Sequence, residues 1–431
     1  MPGTKRQQKG NNVAGLQDDC FSIGDDLMPF DEGLRVLKDR AHIVVGTETV
    51  ALRDALDRVL AEDITAPRDV PPHDNSAVDG YAVRHVDLLV NGETRLPVTA
   101  RIAAGHPLGR QAEEGEAVQI FTGAPVPDGM DTVYMQEDVA LDGDEVILPT
   151  GIKQGANRRK QGEDVIAGDV IIKTGQILRA QEIGLAASVG RGKVKVYSRL
   201  RCAIFSTGDE VVDPAFDEAG DGGIYDANRY AISALLKGLG CEITDLGILP
   251  DRVAEIRSAL HDAYPGHDLI ITSGGVSLGE EDHITHVVQS LGSIDFWRLA
   301  IKPGRPMAFG KIVDTAFVGL PGNPVAAMVT FMRIARPLIL TLSGRTATDS
   351  HIYRIPAAFE MDKKAGRREW LRANLQTDEN GEACVHKHPS QGSGILTSMV
   401  ASDGLVELPE DLERVNKGDL VDFLPFVEMT S

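Results

Sequence analysis

The chain has 431 residues, 42% of them hydrophobic and 25% charged, with a formal net charge of -20. That length exceeds what one compact core organises, so several domains are expected. The acidic balance opposes a nucleic-acid role, because a phosphate backbone requires a basic face, and the apolar runs are too short and interrupted for a membrane span.

The first 22 residues are polar, basic at the start and followed by no apolar stretch, which reads as a flexible tail rather than a signal peptide. Asp31 is placed to cap a helix through Leu34 and Leu37, and TVALRDALDRVLAEDI sets Leu52, Leu56, Val59 and Leu60 on one helical face. From about Ala66 to Ile172 the chain becomes rich in Pro, Gly and short runs such as AVQIF, TVYMQ and EVILP, predicting a β-rich module. A short helix is expected from Ala180 to Ser188. From Leu200 strand and helix alternate, as in an α/β unit with a parallel sheet. RCAIF is a strand, Asn228 caps a helix stopped at Gly240, CEITDLGIL is a strand and Asp251 caps the next helix. The strand DLIITS, a helix from about Glu281 to Leu291, the pair FWRLAI and MAFGKIV, the strand TAFVGL and a long apolar helix from Val325 to Leu342 complete the unit. Past Ser343, short runs separated by Gly, Asp and Asn predict a small all-β domain ending near Phe426. Cys20, Cys202, Cys241 and Cys384 are scattered without close pairing, which opposes a zinc site or a disulfide framework and fits a reducing, cytoplasmic setting.

Chemistry gathers where three strands of the α/β unit end in glycine turns: STGDE after Phe205, TSGGVSLGEED after Ile271 and PGNP after Leu320. Ligands of open parallel sheets bind beyond the carboxyl ends of the strands, and glycine lets backbone N–H groups approach an anion. One such turn alone usually serves only to reverse the chain and cap a helix; three on one sheet point to a shared crevice. None has the glycine spacing of a Walker loop or a dinucleotide fingerprint. Between the second and third turns, WRLAIKPGRP gathers Arg298, Lys302 and Arg305 into a basic island inside an acidic chain, suited to a phosphate or an oxyanion. Glu210, Asp282 and Asp164 sit in glycine-containing turns and are candidates for magnesium, which takes one or two carboxylates plus water and substrate phosphate. PPHDNSAVDGYAV and IFTGAPVP stand apart as polar turns too specific for plain linkers.

Taken together, DNSAVDGYA, FTGAPVP, RRKQGED, STGDE, SGGVSLGEED, IKPGRP, PGNP and QGSG, in that order between Pro71 and Gly394, resemble the MoeA family of molybdenum insertases, which includes the E domain of gephyrin. The resemblance implies a multidomain α/β plus β architecture in an elongated homodimer. It assigns 23–70 and 160–198 to a helical and β dimerisation region, 71–159 to an inserted β-rich domain, 199–344 to a molybdopterin-binding-like α/β domain with a central mostly parallel sheet, and 345–431 to a C-terminal β-barrel. The reaction implied is insertion of molybdenum from molybdate into adenylylated molybdopterin, with magnesium-dependent release of AMP. Carried over by motif, Asp79, Thr122, Asp164, Glu210, Asp251, Asp282 and Lys302 fall at catalytic positions, with Asp79 and Thr122 contributed by the partner subunit. Ser273, Gly274, Gly275, Ser277, Arg298, Arg305, Pro321, Gly322, Asn323, Pro324, Arg372 and Ser393 fall at substrate-binding positions, and Glu210 and Asp282 hold the magnesium. Val78 stands where the family commonly has Met, and Arg298 where Lys is common. Molybdopterin adenylyltransferase and molybdoenzyme maturation proteins are the partners implied. The other activities weighed are a related enzyme that adenylylates molybdopterin, which would consume ATP, and a cofactor-storage or scaffold protein, which would not turn over.

Overall fold

The computed structural model describes residues 27–430 except 217, 276–282 and 305. The expected tail, Ser277, Asp282, Arg305 and the expected helix start at Glu281 lie outside the described residues.

Two antiparallel pairings define the first region. Thr47–Ala51 pairs with Lys193–Tyr197, and Ile64–Thr65 pairs with Val170–Ile172. The chain therefore leaves this region and returns to it, and everything between forms a separate β unit. Its six-stranded sheet runs Thr132–Met135, Gly80–Val83, Ala117–Ile120, Thr94–Ile102, Glu145–Leu148, Ala140–Asp142. Alternate residues of these strands build a core on each face, Tyr81, Val83, Leu96 and Tyr134 on one and Ala82, Ile102, Val118 and Val133 on the other. The helix expected over TVALRDALDRVLAEDI does not form. Thr47–Ala51 is a strand, Leu52–Asp54 a single 3-10 turn, and Asp57 has a φ of 59°. Leu52 and Leu60 are buried as expected while Leu56 is exposed, because pairing with a distant strand overrides the local helical spacing.

In the inserted unit Glu116 is buried and accepts hydrogen bonds from the Arg110 guanidinium at 2.7 Å, the Thr99 hydroxyl and the Glu113 N–H. The guanidinium, aided by the hydroxyl and the amide and working against burial, holds the carboxyl down to about 2 from 4.5. A depressed folded value means that this stabilisation is complete above pH 4.5 and is lost as pH falls towards 2. Glu116→Gln is expected to flatten that part of the fall in Tm with acid, and thermal melts across the interval check it; parallel curves for variant and parent would contradict it.

The α/β unit carries a six-stranded sheet in the order Glu242–Leu249, Arg201–Thr207, Leu269–Ser273, Thr315–Leu320, Pro306–Ile312, Gly292–Arg298. The first four strands are mutually parallel, and Pro306–Ile312 pairs antiparallel with both Thr315–Leu320 and Gly292–Arg298. Helix Ala227–Gly238 and the long helix from Pro324 to Leu342 cover one face through Ile232, Leu236, Val325 and Met332. Helices Val253–Ala263 and His283–Leu291 cover the other through Ile256, Leu260, Ile284 and Val287. Two expected caps are displaced. The Asp226 carboxylate, not Asn228, accepts from the Arg229 N–H at 3.1 Å and starts the helix, while Asp251 precedes a helix whose cap position is Arg252 and receives no side-chain bond. The helix from Pro324 to Leu342, with a π-helical stretch at Phe331–Ala335, is long and apolar enough to cross a membrane, but 83% of its apolar window is buried inside the protein, as for a core helix.

In the C-terminal region Arg368–Thr377, Gly404–Leu408, Leu420–Pro425 and Tyr353–Pro356 pair in that order, and Ala383–Lys387 lies on the other side of Arg368–Thr377. A bridge between Ala357 and Val385 brings the two ends of this path together. Helix Phe30–Arg40 packs against the α/β unit. Its Phe30, Val36 and Leu37 share one core with the α/β helices and with Trp370 and Leu405. The cap residue is Pro29, and Asp31 lies in the first turn paired with Arg368 at 2.7 Å. Around this seam Arg333 and the Trp370 indole N–H meet Glu407 at 2.7 and 2.6 Å, so helix, α/β unit and C-terminal strands are joined by apolar packing and an ion cluster.

Candidate active site

Strands Arg201–Thr207, Leu269–Ser273 and Thr315–Leu320 lie side by side and parallel, so the turns that follow them open at one end of the sheet. There they line a cleft of about 200 Å³ with Ser206, Thr207, Glu210, Asp226, Asn228, Ser273, Gly274, Gly322 and Pro324 on its walls. The Ser206 and Thr207 hydroxyls are buried and have no hydrogen-bond partner among the described residues. Two buried hydroxyls without partners beside a cleft are costly to leave unpaired, which marks this wall as a candidate ligand contact.

The turns are built for close approach. Gly274 and Gly275 have φ of 88° and 63°, and a Cβ on Gly275 would lie 2.6 Å from Ile284 Cδ1 and 2.9 Å from Thr207 Cγ2. The Gly274 N–H donates to the Leu320 carbonyl at 3.0 Å, joining the second turn to the third. Asn323 takes the cap position and Pro324 the first turn of the long helix, where a missing N–H costs nothing. Asn228, expected as a cap, instead donates from Nδ2 to Ser273 Oγ and to the Gly322 carbonyl, both at 2.7 Å. The neighbouring Arg229, 3% exposed, is paired with Asp226 at 2.9 Å and also with Asp213 and Asp245.

The other expected residues fall outside this cleft wall. Val325 donates its N–H to the Ser393 carbonyl at 3.0 Å, so the QGSG loop of the C-terminal region meets the start of the PGNP helix. Arg372 does not present its guanidinium to open space. It is 1% exposed, its Nε donates to Ser398 Oγ at 3.1 Å and its Nη2 to the Gly392 carbonyl at 3.1 Å, and burial pushes its pKa down to about 10. It braces the loop that carries Ser393. Lys302 donates to Glu369 at 3.0 Å, with the ammonium side half exposed and the carboxylate buried. Arg298 ends its strand with its carbonyl accepting from the Met28 N–H at 3.0 Å. The IKPG turn is held close to the long helix, where a Cβ on Gly304 would lie 2.6 Å from Thr330 Cγ2.

Asp79 and Thr122 meet each other in the inserted β unit. Asp79 Oδ1 accepts from the Thr122 N–H at 2.8 Å and its hydroxyl at 2.7 Å, which together hold the carboxyl below its usual range. Asp164 is exposed, with its N–H donating to the Val70 carbonyl at 3.0 Å, and Asp251 precedes helix Val253–Ala263. Among the described residues no cluster of three or more His, Cys, Asp and Glu side chains is arranged to hold a metal, and Glu210 and Asp226 are the carboxylates of the cleft wall. The sequence pattern singled out the glycine turns, whose spacing carries a signal; it missed the Asn228 cross-link and the two unpartnered hydroxyls, which need the turns to be seen together.

Comparison with known proteins covers most of the chain. Residues 28–190 match the MoeA N-terminal region (domain I and II), residues 203–341 the "Probable molybdopterin binding domain" family, and residues 354–426 the MoeA C-terminal region (domain IV). A Haemophilus influenzae protein named molybdopterin molybdenumtransferase is 39% identical over 93% of this chain and 99% of its own length. A Nostoc protein of the same name is 34% identical over 84% of this chain and 85% of its own. Among solved structures, the molybdopterin biosynthesis MoeA protein of Pyrococcus horikoshii OT3 matches with a TM-score of 0.80 at 30% identity, covering 93% of this chain and all of that one.

Proposed function

The chain belongs to the MoeA family, and we propose that it is a molybdopterin molybdenumtransferase that transfers molybdenum from molybdate to adenylylated molybdopterin with release of AMP in a magnesium-dependent step. The observation that carries the site assignment is the cleft at the strand ends, where Ser206 and Thr207 offer unpartnered buried hydroxyls beside the two glycine turns. A phosphate-bearing substrate suits that wall, since hydroxyls and glycine backbone amides are the donors that grip phosphate oxygens.

Magnesium fits the donor set, because it keeps several waters and takes few protein carboxylates; Glu210 on the cleft wall would hold it, with Asp282 as the second ligand. When bound, the ion supplies neutralisation of charge on the phosphate oxygens. The chain's own part is to orient the substrate with the turn amides and hydroxyls, and to present Lys302, Arg298 and Ser393 to molybdate, a tetrahedral oxyanion that convergent donors suit. Arg372 acts on that oxyanion through the shape of the QGSG loop rather than as a donor of its own, which its burial and its bond to Gly392 support.

Asp79 and Thr122 belong to the inserted unit, and their mutual pairing away from the cleft of their own chain supports an active site completed by a second copy in a homodimer. The elongated arrangement, a C-terminal barrel closed at the Ala357–Val385 bridge and a cytoplasmic location complete this reading. Lys302→Ala is expected to raise the molybdate concentration for half-maximal turnover about tenfold, equivalent to about 1.4 kcal/mol of lost binding. Steady-state AMP release against molybdate checks it, and an unchanged molybdate dependence would remove Lys302 from the oxyanion site.

A further inference from the structure

We infer that Asn228 is a positioning residue for the transfer reaction, locking the second and third glycine turns into one rigid wall; the inference rests on the cleft being the substrate site. Because Asp226 caps the helix, the Asn228 side chain is released from that duty and lines the cleft. A carbonyl can only accept, so the 2.7 Å contact to the Gly322 carbonyl requires the amide nitrogen on that side and fixes the orientation of the carboxamide. The same nitrogen donates to Ser273 Oγ at 2.7 Å, and the Ser273 hydroxyl in turn donates to the Pro321 carbonyl at 3.1 Å. One NH2 group therefore spends its two hydrogens on two turns far apart in sequence.

The strut has a firm footing. Arg229, the next residue, is fixed by Asp226, Asp213 and Asp245, which come from the helix cap, from the segment after Glu210 and from the edge strand. Motion of the helix start would break a buried ion cluster, so the carboxamide holds the turns against a fixed point. Loss of the strut would let Ser273 and Gly322 separate, and displacements of about 1 Å at a reacting centre cost about a hundredfold in rate.

The test compares wild type, Asn228→Ala and Asn228→Asp as full-length protein, with adenylylated molybdopterin, molybdate and magnesium as reactants. For Asn228→Ala the expected result is a kcat about a hundredfold lower, a KM changed by less than about threefold and a Tm within about 3 °C of wild type. Hydrogen exchange in peptides spanning 273–275 and 321–323 is expected to rise. Asn228→Asp regains one donor when its carboxyl is protonated, so its kcat relative to wild type is expected to climb as pH falls from about 8 to about 6. A kcat for Asn228→Ala within about threefold of wild type, unchanged exchange in both turns, or a flat pH ratio for Asn228→Asp would overturn the positioning role. An inactive wild type would instead overturn the functional reading beneath it.

Discussion

Gly275→Ala is expected to lower turnover by about a hundredfold or more, with a larger effect on kcat than on substrate binding. The backbone there has a φ of 63°, a conformation that costs an L-residue about 1–2 kcal/mol. The added methyl would also sit 2.6 Å from Ile284 Cδ1 and 2.9 Å from Thr207 Cγ2. Ile284 is 1% exposed within the apolar layer under the sheet, so it has little room to yield, and overpacking of this kind costs about 1–3 kcal/mol. The chain relieves both by moving the turn, and Thr207, which lines the cleft, moves with it. Kinetics of AMP release beside a thermal melt separate the two effects: a variant with full activity would show that the turn is not part of the wall that holds substrate.

Arg229→Met is expected to cost about 3–5 kcal/mol of folding stability, the largest loss foreseen for a single side chain here. The side chain is 3% exposed and meets three carboxylates, of which Asp226 and Asp213 are themselves 2% and 13% exposed. Methionine keeps much of the volume but leaves the buried Asp226 and Asp213 carboxylates with no cation, while Asp245, 47% exposed, is screened by solvent. Urea unfolding at neutral pH measures the loss. A change below about 1 kcal/mol would mean that the cluster contributes little, and would also weaken the footing assigned to Asn228.

Much of the fold was legible because the α/β unit is written in short apolar runs between glycine and polar turns. The helix Ala180–Ser188 and the strands ending at Thr207, Ser273 and Leu320 lie where periodicity predicts them. TVALRDALDRVLAEDI misled because Leu52, Leu56 and Leu60 have helical spacing, whereas the partner that makes Thr47–Ala51 a strand is Lys193–Tyr197, far along the chain. The packing of helix Phe30–Arg40 against the α/β core was invisible for the same reason: an amphipathic stripe does not name the surface it will cover.

In the site, the glycine turns announced themselves through residue type, but the state of each charge did not. Arg372 falls at a substrate-binding position by motif and proves to be buried against the carbonyl of Gly392, while Lys302 already has Glu369 as a partner. Asn228 reads as a cap because it precedes a helical pattern, yet Asp226 two residues earlier takes that duty and frees it to bridge the turns.

The most direct test combines the purified protein with adenylylated molybdopterin and magnesium, with and without molybdate, and measures AMP released and molybdenum retained on the pterin. The expected result is AMP release that requires molybdate and magnesium, with one molybdenum retained per AMP. Release of AMP without molybdate and without retained molybdenum would contradict it, as would formation of adenylylated molybdopterin from ATP in place of its consumption.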